Sequence, residues 1–225
     1  MIPVVFADHG WLLARHSFSF ADYFDPAEMG CGVLRVINED RIAPGKGFGE
    51  HGHRDMEIVT YVMAGALEHR DSLGNGEIIR PGEVQRMSAG RGIRHSEFNP
   101  SPNEETHLLQ IWIEPRESGI APGYEQQILA PGHNVWRLIA SPDASQGSAL
   151  IHQNAWLYAA QLEPGAALDY TLDPVRLAYV HLVRGHLTLN GVEIGSGDGV
   201  KISDESWLHF GATQESEALL FDLPP

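Results

Sequence analysis

The chain has 225 residues, 43% of them hydrophobic and 20% charged, an ordinary composition for a globular protein with room for two domains of roughly 110 residues each. Its formal net charge of −15, with no basic stripe to offset it, argues against direct nucleic-acid binding and against attraction to anionic membranes. One cysteine, Cys31, leaves no intramolecular disulfide and suits a reducing compartment.

The opening stretch MIPVVFADHGWLLARHSFSF has no basic leader region and is broken by Asp8, His9 and Arg15, so it does not read as a signal peptide. No apolar run approaches the ~20 residues that span a bilayer, and a cytoplasmic location is expected. Asp22–Met29 is expected to form a short helical turn. Strands follow at 32–37 (GVLRVI), 57–63 (EIVTYVM), 108–113 (LLQIWI), 156–161 (WLYAAQ), 177–183 (LAYVHLV) and 218–221 (ALLF), all rich in β-branched, aromatic and other apolar residues and all short for helices. Between them lie turn signals at Pro44-Gly45, Gly74-Asn75-Gly76, Pro81-Gly82, Pro122-Gly123, Pro131-Gly132, Pro164-Gly165 and Asn190-Gly191. Many short strands at this spacing predict an all-β sandwich or barrel. Residues 61–83 and 181–198 share an outline of strand, glycine turn, strand, Asn-Gly turn and Gly-acid step, which suggests a duplicated barrel. The division is expected near Pro131-Gly132, giving domains 1–131 and 132–225.

Two histidine pairs stand out among the twelve histidines: His51-Gly52-His53, entered through the glycine-rich 45–49 (GKGFG), and His95-Ser96-Glu97. Residues at i and i+2 of a strand point to one face, so each pair can aim two donor atoms in one direction. Two such strands meeting inside a barrel would set three imidazoles and a carboxylate around one point, a donor set for a borderline divalent metal. Four ligands on an octahedral ion leave two positions open, as catalytic sites require. Glu57, four residues after His53, has the same parity; it is a ligand, an acceptor holding an imidazole, or a base near the metal. An isolated His-x-His is commonly two surface or capping histidines; it is the second pair that turns the reading toward metal. Asp55, His69 and His107 read as turn residues or ordinary hydrogen-bonding partners, and Cys31 as a small buried residue. No nucleophile elbow, Walker loop or dinucleotide fingerprint is present.

These residues resemble the pirin family of bicupins, above all its bacterial members with quercetin 2,3-dioxygenase activity. The resemblance lies in RHSFSFADYFDP (15–26), GFGEHGHRDMEIVTYVMAG (47–65) and PGEVQRMSAGRGIRHSEF (81–98), the last being the most specific, and it is strong over roughly the first 130 residues. It implies two cupin barrels packed face to face, with His51, His53, His95 and Glu97 as ligands of one divalent transition metal. Fe(II) is the expected ion, with nickel, cobalt, manganese, copper and zinc as alternatives. Glu57 occupies the position at which many other cupins place a ligand glutamate, a role that pirins give to the glutamate of the second motif. Gly52 departs from the proline that many relatives have between the two histidines, which removes a backbone restraint.

The resemblance further implies a polyphenol substrate, O2 as co-substrate, and release of carbon monoxide and a depside, with Glu97 or Glu57 accepting the proton of the flavonol 3-hydroxyl. Two other readings stand beside it: a metal-dependent regulatory module working through protein partners, and another cupin chemistry such as sugar isomerisation or a different dioxygenation. Aligning Gly65 with Gly185 puts Thr171, Asp173 and Leu177 opposite His51, His53 and Glu57. Aligning Gly82 with Gly197 puts Phe210 and Ala212 opposite His95 and Glu97, with His209 one residue away. The second barrel is therefore expected to hold no metal, with His181, His186 and His209 ordinary residues, and the protein to be a monomer.

Overall fold

The computed structural model describes residues 5–129 and 132–225, so the expected division at Pro131 falls outside the described residues. The first group of strands forms two sheets. One has seven strands in the order Val5–Asp8, Leu12–His16, Leu34–Ile42, Thr106–Ile113, Glu57–Ala64, Glu83–Ser88 and Gly123–Ile128. The other has four, in the order Gly47–His53, Ile93–Phe98, Leu67–Asp71 and Gly76–Ile79.

The second group repeats this plan. Trp156–Leu162, Ser216–Leu223, Leu177–Arg184 and Gly199–Ile202 are neighbours in a six-stranded sheet, in the places of Leu34–Ile42, Thr106–Ile113, Glu57–Ala64 and Glu83–Ser88. Ala167–Thr171, Trp207–Ala212, His186–Leu189 and Val192–Gly195 make the facing four-stranded sheet. The duplication expected from the sequence is thus present, as two cupin barrels. Gly65 and Gly185 mark it locally. Both have positive φ (73° and 92°), and a Cβ on either would run into the backbone of the incoming strand, Glu105 in one barrel and Glu215 in the other.

All six strands expected from the sequence form, several of them longer, such as Leu34–Ile42 and Ser216–Leu223. The helical turn expected at Asp22–Met29 does not. Phe20 and Tyr23 form an isolated β-bridge, and the Ser19 hydroxyl donates to the Asp25 carbonyl (2.9 Å) and accepts from the Asp25 amide (2.8 Å), which spends the backbone groups a helix would use.

The barrels pack face to face through the outer faces of the seven- and six-stranded sheets. Val59, Tyr61, Leu109, Ile111 and Ile113 from the first meet Ile139, Leu157, Tyr179, Leu219 and Phe221 from the second in one continuous core. Tyr61 donates across this interface to the Glu217 carboxylate. Alternate residues of the same strands turn inward. Thr60, Val62, Leu108, Gln110 and Trp112 face the interior of the first barrel, so its central strands are buried on both sides.

Candidate metal centre

The Gly47–His53 and Ile93–Phe98 strands pair antiparallel, with His51 opposite His95 and His53 opposite Ile93. A register shift between Phe48 and His51 precedes the pair. The three imidazoles meet inside the barrel. His95 Nε2 lies 3.0 Å from His51 Nε2 and 2.9 Å from His53 Nε2. Two cis ligands at ~2.1 Å on an octahedral ion are separated by about 3.0 Å, so these nitrogens need little movement to share one. The His51 Nδ1–H donates to the Gly49 carbonyl at 2.8 Å, which leaves Nε2 as a bare lone pair. Burial, with the neighbouring His51 second, lowers His53 to about 4, and burial moves His95 further in the same direction. Both rings are thereby kept neutral, the form that binds metal.

Glu97 lines the same cavity and is buried. Its carboxylate accepts from the Gln110 side-chain amide at 2.6 Å, and the Gln110 carbonyl in turn accepts from the Thr60 hydroxyl at 3.2 Å. Donor atoms of Glu97, His95 and His69 also lie within 4.8 Å of one another, as do those of His51, His53 and His95. Both groupings found among the described residues are in the first barrel. Burial pushes Glu97 up to about 7, with Gln110 opposing and Asp40 adding to the shift.

Glu57 does not join this site. It lies on the strand that carries Val59 and Tyr61 outward, while its neighbour Ile58 lines the cavity. Its carboxylate accepts from the Ser88 hydroxyl (2.9 Å) and from the backbone amide of His152 in the second barrel (3.3 Å). Parity fails because Arg54, Asp55 and Met56 turn the chain from one sheet to the other, with Asp55 at φ 48°. Asp40 takes the place expected of Glu57. It is buried in the cavity wall, and its Oδ1 has no hydrogen-bond partner among the described residues. Burial, helped by Glu39, pushes it up to about 7.

The cavity measures about 230 Å³. Its remaining walls are Phe20, Asn38, Phe48, Ile58, Gln110 and Trp112. Phe20 meets Trp112 edge to face at 5.4 Å, and Trp112 meets His53 likewise at 4.9 Å. The chemistry offered is an aromatic-walled cavity whose lining includes three imidazoles and two carboxylates.

Other residues singled out in the sequence fall elsewhere. The Asp55 carboxylate accepts from the Gly119 amide, and His107 bonds Glu39 at 2.7 Å. Cys31 is buried in the core between the barrels. In the second barrel the pairing registers set Tyr170, Leu172, Leu208 and Phe210 in the places of His51, His53, His95 and Glu97, one residue from the expected match for the first pair and two for the second. All four belong to, or pack against, that barrel's apolar core.

The Pirin family model matches residues 3–113, and a model described as the quercetinase C-terminal cupin domain matches residues 138–223. Quercetin 2,3-dioxygenase of Escherichia coli strain K12 is 49% identical over 97% of this chain and 94% of its own length. A pirin-like protein of Caulobacter vibrioides is 43% identical, over 96% and 94%. The crystal structure of the E. coli bacterial pirin YhhW in complex with nickel(II) superposes with a TM-score of 0.95 at 49% identity, covering 99% of this chain and 96% of that one. Among the described residues no helix is long and apolar enough to cross a membrane.

Proposed function

This chain belongs to the pirin family, and on that premise we propose that it is a metal-dependent dioxygenase that opens the heterocyclic ring of flavonols such as quercetin, consuming O2 and releasing carbon monoxide and a depside. The observation that carries this reading is the convergence of His51 and His53 Nε2 on His95 Nε2, at 3.0 and 2.9 Å, in a cavity lined by Phe20, Phe48 and Trp112. The names of the relatives point the same way.

His51, His53, His95 and Glu97 are the proposed ligands of one divalent transition metal. Fe(II) is our choice of ion; the E. coli relative has been crystallised in complex with nickel(II), another member of the first-row series. The chemistry expected of a bound ion here is Lewis-acid polarisation of the flavonol 3-hydroxyl and electron exchange with O2.

The chain's own residues do the rest. Gln110, fixed by Thr60, holds the Glu97 carboxylate in place. Asp40, whose Oδ1 in the wall has no partner among the described residues, accepts the single 3-hydroxyl proton, with Glu97 as the alternative acceptor. Phe20, Phe48 and Trp112 clamp a flat ring and exclude water. The cavity is smaller than the ~300–1,000 Å³ usual for ligand sites, so the chelating end of the flavonol enters and the rest stays at the mouth.

We place the domain division at 131/132, between the strands Gly123–Ile128 and Arg137–Ser141. The second barrel is proposed to hold no metal, because Tyr170, Leu172, Leu208 and Phe210 stand where the ligands would. The shared core between the barrels supports a monomer.

The test is oxygen uptake and carbon monoxide release by metal-free protein reloaded with Fe(II) and given quercetin, beside a His51→Ala control. Turnover lost in the control supports the reaction and the ligand set together. Metal bound without turnover on any flavonol overturns the proposed reaction and leaves the regulatory reading.

A further inference from the structure

His69 is the least exposed histidine near the centre, with a fully buried side chain, as is its partner Asp71. The Leu67–Asp71 strand pairs with Ile93–Phe98 on the side away from His51 and His53, with His69 opposite Glu97 and Asp71 opposite His95. This register brings the outer nitrogen of His95 against His69, Nδ1 to Nδ1 at 3.4 Å. His69 Nε2 is 3.2 Å from Asp71 Oδ2. Asp71 is itself fixed by the turn that follows. Its Oδ1 accepts from the amides of Leu73 (2.8 Å) and Asn75 (3.1 Å), and its Oδ2 accepts from the Asn75 side chain (2.8 Å). The His69 ring stacks on Tyr124 at 4.9 Å.

These contacts define a direction. A carboxylate only accepts, so His69 Nε2 carries the proton. In a neutral ring His69 Nδ1 is then an acceptor, faced at 3.4 Å by two groups: the Gln85 side-chain amide, which donates, and His95 Nδ1, which donates as its N–H. That leaves His95 Nε2 unprotonated, facing His51 and His53. His69 has no nitrogen left over for a metal of its own, since Nε2 is committed to Asp71 and Nδ1 faces His95 and Gln85.

We propose that His69, oriented by Asp71, is a positioning residue of the metal centre, which fixes the tautomer and ring angle of His95 so that Nε2 is presented as a ligand. The inference rests on the ligand assignment proposed above. Partners of this kind, when removed, typically cost about 10–100-fold in metal affinity. The Gly49 carbonyl plays the same part for His51, but there the backbone supplies it and no side chain can be substituted.

The experiment has two arms. In the metal-free protein, two-bond 1H–15N correlation of the histidine rings reads the tautomers directly. His95 is expected as the Nδ1–H form in the parent and as the Nε2–H form in Asp71→Asn, where an amide donor facing His69 reverses the chain. An Nε2–H tautomer of His95 in the parent overturns the proposal whatever the variants do.

The second arm is Ni(II) affinity by chelator competition, with metal-free melting temperatures measured alongside. His69→Leu is expected to bind about 10–100-fold more weakly. His69→Gln, whose amide can accept from His95 and donate to Asp71, is expected to recover most of that loss. Equal affinity in both variants overturns the proposal, because only hydrogen bonding separates them. If His69→Leu does not fold, Asp71→Asn against the parent takes its place, and unchanged affinity there overturns it equally. Failure of the ligand set itself is read separately, as metal retained by His51→Ala.

Discussion

His181 offers a test of the interface between the barrels that needs no metal. It lies on the strand Leu177–Arg184, is 2% exposed, and neither ring nitrogen has a hydrogen-bond partner among the described residues. Burial lowers it to about 4, although Glu39 across the interface and Asp198 both pull it upward. An unfolded chain takes up this proton as pH falls through about 6.5, while the folded chain holds off until about 4. Above pH 6.5 the group is therefore neutral in both states and has no pH-dependent effect. Between 6.5 and 4 the unfolded state gains, and stability drops by about 1.4 kcal/mol per pH unit, about 3 kcal/mol in all. Other buried groups titrate over this range, so the measurement is a difference. Urea midpoints of metal-free parent and His181→Leu are followed from pH 8 to pH 4. The parent is expected to lose about 3 kcal/mol more than the variant, nearly all of it below pH 6.5. Parallel curves over that window would refute the reasoning, by showing that the folded protein accommodates the charged ring.

Phe20→Ala removes one wall of the cavity without touching a proposed ligand; its loss of aromatic contact is expected to raise KM for quercetin by about three- to tenfold with metal content unchanged, read by kinetics and metal analysis. Glu57→Gln and Glu97→Gln should behave as opposites. Glu57→Gln is expected to keep metal and turnover but lose about 1–3 kcal/mol of stability, because its contacts are with Ser88 and His152 at the barrel interface. Glu97→Gln is expected to lower metal occupancy and turnover together. Loss of metal in Glu57→Gln at full stability would return that residue to the centre.

The pairs His51/His53 and His95/Glu97 were legible because the i, i+2 rule acts within a single strand and asks nothing of the rest of the fold. Glu57 was misplaced when that rule was carried across Asp55, where the chain leaves one sheet for the other. His69 and Asp71 form the same spacing as the two recognised pairs. Their role rests on the register between Leu67–Asp71 and Ile93–Phe98, a long-range pairing that local pattern does not contain. Asp40 sits in the acidic run Glu39-Asp40, which looks like surface. It is buried because it faces the interior of the first barrel, where the opposite sheet covers it, a placement set by long-range sheet pairing. In the second barrel, matching Gly82 to Gly197 misplaced the equivalents because the path from that glycine to the inner strand is two residues shorter there, 197 to 208 against 82 to 95.

The double burial of the first barrel's central strands explains why a hollow barrel is joined to a solid one. The inward face of the first barrel's main sheet carries Asn38, Asp40, Thr60 and Gln110, groups that cost free energy to bury and that serve the site rather than the fold. The sheet does bury Ile42, Val62 and Leu108 in one inner cluster and Ile58 and Met87 in another, but these polar groups interrupt that packing. Its outer face adds to it, as Ile37, Val59, Leu109 and Ile111 pack onto Leu157, Leu219 and Phe221 of the partner barrel. The partner can play this part because its own interior is filled by Leu172, Leu208 and Phe210 and needs no outside support. On this argument the second barrel contributes to the metal centre through rigidity, by holding the backs of the strands whose fronts bear Asp40 and Gln110. Cavities cut into the interface should then loosen the site before they unfold the chain.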